Sequence, residues 1–269
     1  MYEAILLIVA VLIVFLLYKR SHLNGLMSSS NPIGSAAAIG ERAIQADFLG
    51  SALGDYGAVL VIADGKGRGN DSKIAAKLAV ETFLDLYADY QFFDKPQYYF
   101  QRAFRLANQK ILNVLQECAG ASAGAVLIHR NTMYYALVGS IQISVYRSGN
   151  LVPVSEGQTV DMLARRAFKA GRIQRETAIS LLKEERAFNT LGQDGFHDIE
   201  FFSKPLTLEK GDIAVLMTDG VFHALKWREI EEAVKKGGSP TDIAERITVA
   251  VEKSDATDKD NASVILYMN

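Results

Sequence analysis

Residues 208–220 read LEKGDIAVLMTDG and residues 258–266 read DKDNASVIL, and together they decide the fold. In the first, the apolar run IAVLMT at 213–218 has the length and composition of a buried strand and closes on Asp219-Gly220. In the second, Asp260-Asn261 stands just before another apolar run, ASVILYM at 262–268. Working outward, residues 59–69, VLVIADGKGRG, repeat the first arrangement, an apolar run that ends on Asp64-Gly65. Each Asp-Gly pair is expected to deliver a carboxylate from a rigid strand while the glycine lets the backbone turn away. A fourth carboxylate, Asp47, lies in an earlier strand-like stretch. If these strand ends converge on one edge of a sheet, they form an oxygen-only donor set suited to hard divalent cations such as Mg2+ and Mn2+. Without a cation, gathered carboxylates repel one another. A lone Asp-Gly is an ordinary turn signal, so the weight rests on two strand-Asp-Gly units and a terminal Asp-Asn taken jointly.

From Ala36 onward the chain alternates strand-like and helical runs without a fixed repeat. Besides the strands already quoted, AAAIGERAIQADFLGSAL (36–53), AGAVLIHR (123–130), TMYYALVGS (132–140), ISVYRSG (143–149), NLVPVS (150–155) and DIEFFSKPLTL (198–208) read as strands. The pairs Arg130-Asn131 and Gly149-Asn150 read as tight turns of an antiparallel meander. Helical periodicity covers 71–90, 95–119, 159–171, 175–185, 226–237 and 240–254. Strand groups interleaved with helix pairs, without regular βαβ alternation, predict an α+β fold of antiparallel sheets covered by helices.

The composition supports a globular body: 49% hydrophobic and 22% charged residues in 269, enough to bury a sizeable core. The balance of 29 Lys+Arg against 31 Asp+Glu gives a net charge of -2, with no basic excess directed at nucleic acid. One cysteine, Cys118, permits neither an internal disulfide nor a thiolate metal site. Four scattered histidines show no ligand spacing, so any metal must rest on oxygen. The loop Gly65-Lys66-Gly67-Arg68-Gly69 lacks the spacing of a nucleotide-binding loop.

These elements resemble, in order, the metal-dependent PP2C-type (PPM) protein serine/threonine phosphatases. The likeness covers residues 36–269: Arg42 with Asp47 five residues on, VLVIADGKGRG, GASAGAVL, the VGS at 138–140, LEKGDIAVLMTDGV and DKDNASVIL. LxxGDxxxLxxDG followed by Asp-Asn before a strand is the most specific part. The resemblance implies a PP2C-like α-β-β-α sandwich, two antiparallel sheets flanked by helices. It implies two Mn2+ or Mg2+ ions, with Asp64 bridging both, Gly65 contributing its carbonyl, and Asp219 and Asp260 completing the first. Arg42 would bind the substrate phosphate and Asp47 would orient water from outside the ligand set. The substrates implied are phosphorylated proteins, and no protein nucleophile is required.

The chain departs from the family at three places. Ala46 stands where Glu or Gln usually precedes the aspartate. Val138-Gly139-Ser140 replaces the VGD motif, which argues against a third metal of that kind and leans toward the sporulation and stress-response branch. Lys66 stands where relatives often have His or Met, so a general acid there is either Lys66 or a water. Asn261 accompanies Asp260 as a neighbour of the ligand set. A catalytically weak or inactive PPM-like signalling module is the alternative reading. Residues 159–185 resemble the family's flap, a variable insert beside the site.

Residues 4–18, AILLIVAVLIVFLLY, form an uninterrupted apolar run. At about 1.5 Å per residue the stretch from Tyr2 to Tyr18 reaches about 25 Å, a short but feasible membrane span. Glu3 precedes it and Lys19-Arg20 follow, which opposes a cleaved signal and places the carboxyl side in the cytoplasm. The expected organisation is a single-pass transmembrane anchor at 1–20, a juxtamembrane linker at 21–35 and a cytoplasmic domain at 36–269.

Overall fold

Along β3 (Gly57–Lys66) Val59, Val61 and Ala63 are buried on one face and Ala58, Leu60 and Ile62 on the other. A strand buried on both sides needs a layer on each, and the alternation assigns them. The computed structural model describes residues 31–55, 57–88, 95–116, 119–182, 186–196 and 198–269. Two antiparallel sheets stand face to face. One runs β1-β11-β10-β6-β7 and the other β2-β3-β4-β5-β8, with β9 also pairing β5. The strands are β1 (Ile33–Ala38), β2 (Phe48–Gly54), β4 (Gly120–His129), β5 (Thr132–Val138), β6 (Ile141–Arg147), β7 (Asn150–Pro153), β8 (Glu200–Phe201), β9 (Leu206–Thr207), β10 (Ile213–Thr218) and β11 (Ala262–Met268).

Three apolar layers hold this together. Between the sheets, Leu60, Ile62, Val126 and Leu137 meet Ile143, Ala214, Leu216 and Ile265. Outside β3 and β4, α1 (Asn70–Tyr87) and α2 (Pro96–Leu115) bury Phe83, Tyr99, Phe100, Phe104 and Ile111. Outside β10 and β11, α5 (Asp219–Ala224), α6 (Trp227–Lys235) and α7 (Pro240–Lys253) bury Val221, Ile230, Ile243, Ile247 and Val251 against Val215, Met217 and Val264. The order helix, sheet, sheet, helix is the architecture anticipated. Helix starts follow local rules: Pro96 opens α2, and Ser239 and Asp242 exchange hydrogen bonds at the start of α7. Two shorter helices, α3 (Val160–Lys169) and α4 (Arg175–Leu181), lie within the stretch 159–185.

The stretch 36–53 is not one strand. β1 starts at Ile33 and ends at Ala38, and β2 resumes at Phe48 in the other sheet. The crossover, residues 39–47, carries Arg42 and Asp47. It is pinned by Asn261, whose Nδ2 donates to the Ile39 carbonyl at 2.9 Å and whose Oδ1 accepts from the Ala46 amide at 2.7 Å. The stretch 198–208 likewise divides, into β8 and β9. Arg130 and Asn131 both take left-handed φ and close the β4–β5 hairpin as read. The next turn is shifted by one residue: Ser148 and Gly149 form it, and Asn150 already pairs with Arg147.

Among the described residues no helix is long and apolar enough to cross a membrane. The apolar run at 4–18 and Cys118 lie outside them.

Candidate metal centre

Asp64 continues the even-numbered face of β3 past Ile62, into the edge of the space between the sheets. Asp219 follows Thr218 at the end of β10 in the opposite sheet and opens α5. Both carboxylates are buried, and both meet the ammonium of Lys66: Nζ stands 2.9 Å from Asp219 Oδ2 and in direct contact with Asp64 Oδ2. Lys66 thus joins the two sheets through one cation position.

Neither glycine of the Asp-Gly pairs serves as a turn, contrary to the expectation from sequence. Gly65 is still within β3 and Gly220 is in the first turn of α5, and neither has positive φ. Their task is close approach. A Cβ on Gly65 would overlap the Ser72 carbonyl, and one on Gly220 the Asn261 carbonyl. The glycines let α1 and the start of β11 close down on the carboxylate-bearing segments.

Asp47 reaches the same region from the crossover. Its Oδ2 accepts from Thr218 Oγ1 at 2.9 Å, and Thr218 Oγ1 in turn accepts from the Ser263 amide at 2.9 Å. Its Oδ1 is buried without a hydrogen-bond partner. Burial pushes its pKa up to about 7, reinforced by the charge of Asp219 and opposed by hydrogen bonds and Lys66. Asp64 is raised by burial and then by Asp219. Burial works against the charge on Lys66, but the two carboxylates outweigh it and hold the ammonium protonated well above its ordinary range.

Arg42 and Asp260 lie beside this group. Asp64, Gly65, Lys66, Arg42, Asp260 and Asn261 line one cavity of about 360 Å³. Arg42 Nε donates to Asp260 Oδ1 at 2.9 Å and Nη1 to Asp258 Oδ1 at 2.6 Å. Burial acts to raise the Asp260 carboxyl, yet the Arg42 hydrogen bond and the Asn261 amide hold it below its ordinary value. Ser140 lies elsewhere, lining a neighbouring cavity of about 190 Å³ with Gln142, Glu156 and His223. Its amide donates to Ser122 Oγ at 3.1 Å.

The donor set has the chemistry that a hard cation requires. It is oxygen-only, Asp64 and Asp219 already converge on one cation, and Asp47 offers a buried oxygen that lacks a partner. Its chemistry therefore fits Mg2+ or Mn2+. Among the described residues no three carboxylate, imidazole or thiol groups are gathered at one point; Lys66 stands on the pair and Arg42 holds Asp260. Thr218 and Asp258 were not singled out from sequence. Asp258 was legible as the first acid of Asp-Lys-Asp, one charge too many for Asp260 alone.

Solved structures share this arrangement of layers. An S. agalactiae serine/threonine phosphatase superposes with a TM-score of 0.77 at 22% identity, covering 88% of this chain and 99% of its own. The chain has the PP2C-type fold. The Mycobacterium tuberculosis serine/threonine phosphatase PstP/Ppp shares it with a TM-score of 0.73 at 20% identity, over 88% of this chain and 98% of its own. A PstP catalytic domain solved with two manganese ions matches at 0.69 and 20%, over 87% of this chain and 96% of its own. No protein-family model and no curated protein matches the chain by sequence. At this identity the PP2C-type fold is what the likeness establishes.

Proposed function

We propose that this chain is a membrane-anchored, metal-dependent protein phosphatase that hydrolyses phosphoserine and phosphothreonine. The observation that carries the reading is the convergence of Asp64 and Asp219, one from each sheet of a PP2C-type fold, on a single cation position. Asp64, the Gly65 carbonyl, Asp219 and Asp260 would hold two Mn2+ or Mg2+ ions. Bound divalent ions supply Lewis-acid charge for the phosphoryl oxygens and acidify water.

The chain's own residues do the rest. Arg42, at the mouth of the cavity, offers guanidinium donors to a phosphate, which would compete for them with the half-exposed Asp260 and the exposed Asp258. Asp47, with one oxygen fixed by Thr218 and the other unpartnered, would orient water from outside the ligand set. Asn261 keeps the Arg42–Asp47 crossover in place. Anchoring rests on the apolar run at 4–18 and the Lys19-Arg20 that follows it.

The test is Mn2+-dependent release of phosphate from p-nitrophenyl phosphate and phosphopeptides by the full chain in detergent. Asp64→Ala and Asp219→Asn are expected to abolish it. A reporter fused after Asn269 is expected to be active in the cytoplasm, and translocation would overturn the orientation. A second reading, a PP2C-like module that recruits a partner without turnover, is favoured by one observation: the Lys66 ammonium already stands against both carboxylates of the pair. A folded but silent wild type would select it.

A further inference from the structure

Lys66 is two residues beyond Asp64 on β3, so strand alternation sends both side chains to one face. From there the ammonium reaches across to Asp219 in the other sheet. The pair beneath is buried, with side chains 9% and 11% exposed, whereas the Lys66 side chain is 35% exposed. Lysine therefore sits over the carboxylates on the solvent side, on a flexible stem that has room to withdraw into the cavity it lines. A divalent ion held by Asp64 and Asp219 together would need the position between them that the ammonium occupies. Two cations cannot share that place.

We propose that Lys66 is a built-in counter-cation, competing with a divalent ion for the position between Asp64 and Asp219. The body then folds without metal, and metal enters only as Lys66 leaves. The inference rests on the reading of Asp64 and Asp219 as metal ligands made above, and adds what sets their affinity. Lysine supplies the charge that prevents two buried carboxylates from repelling in the empty state. It also lowers metal affinity by the work of its own displacement, which makes loading responsive to the concentration of free ion.

The experiment uses the full chain in detergent micelles and compares wild type, Lys66→Met and Lys66→Arg by calorimetric titration with MnCl2 and by thermal unfolding in EDTA. Lys66→Met is expected to unfold at lower temperature in EDTA, to regain its stability on adding Mn2+, and to bind Mn2+ about ten- to a hundredfold more tightly, the scale on which groups around a ligand set move affinity. Lys66→Arg keeps a cation and is expected to stay near wild type in both measurements. If Lys66→Met does not survive in EDTA, it is prepared in Mn2+ and its affinity is measured by competition with a fluorescent chelator. Equal or weaker Mn2+ binding by Lys66→Met, with wild type binding measurably, overturns the competition and leaves the phosphatase reading standing. Absence of binding by folded wild type and folded variants alike overturns both.

Discussion

Asn261→Ala separates the crossover from the strand that holds it, and its effect can be worked from two hydrogen bonds. Asn261 is buried, accepts from the Ala46 amide at 2.7 Å and donates to the Ile39 carbonyl at 2.9 Å. Truncation leaves the Ala46 N–H buried without an acceptor, a loss of about 1–3 kcal/mol. The Ile39 carbonyl belongs to an exposed residue and can turn to water, so its share is about 0.5 kcal/mol. The expected sum is about 1.5–3.5 kcal/mol, which for a body of this size lowers Tm by roughly 3–14 °C. The assay is urea unfolding with hydrogen exchange at the Ala46 amide, which should lose its protection while amides in β3 keep theirs. Because the same segment carries Arg42 and Asp47, any phosphatase turnover should fall with it. A stability change under about 0.5 kcal/mol, the range of ordinary surface substitutions, would refute the reasoning.

Two further substitutions probe the frame of the site. Gly65→Ala should cost about 1–3 kcal/mol of stability, read as a lowered urea midpoint, since the new Cβ meets the Ser72 backbone carbonyl and a shift of α1 is required; an unchanged or raised midpoint would show that the close approach is not needed. Asp212→Asn should cost about 1–3 kcal/mol at neutral pH, because the buried carboxylate accepts from Arg147 Nε at 3.1 Å and from the Glu209 amide at 2.7 Å. Burial acts to raise that carboxyl, but Arg147 and the amide prevail and its pKa lies below the ordinary value. The stability it confers is therefore present above the ordinary carboxylate range and is lost as pH falls through the lowered value. Wild type and Asp212→Asn should converge as pH falls below the ordinary carboxylate range and through the lowered value; a gap that stays constant through that fall would assign the loss to packing instead.

The layers were legible because they rest on periodicity, which is local: β3 and β10 announce both of their faces in the sequence, and the two layers of helix follow from them. Asp47, Asp64 and Asp219 were legible as carboxylates at strand ends for the same reason. Their partners were not, because pairing across sheets depends on where the crossover from β1 to β2 runs, and an apolar stretch interrupted by Gly40-Glu41-Arg42 gave no sign that it divides between sheets. The role of the glycines was misread on similar grounds, since an Asp-Gly pair specifies a turn only if no second backbone lies against it. Lys66 shows how far alternation could have been pressed. Once Ala58, Leu60, Ile62 and Asp64 are placed on one face of a strand, the next even position must follow them, and nothing in VLVIADGK ends the strand at Asp64. A basic residue two positions beyond a buried carboxylate is then bound to meet it. Reading the strand as closed at Asp64 sent Lys66 to a loop, where it stood as a candidate general acid; keeping the strand open makes its charge part of the carboxylate group, and ties metal loading to the movement of one side chain.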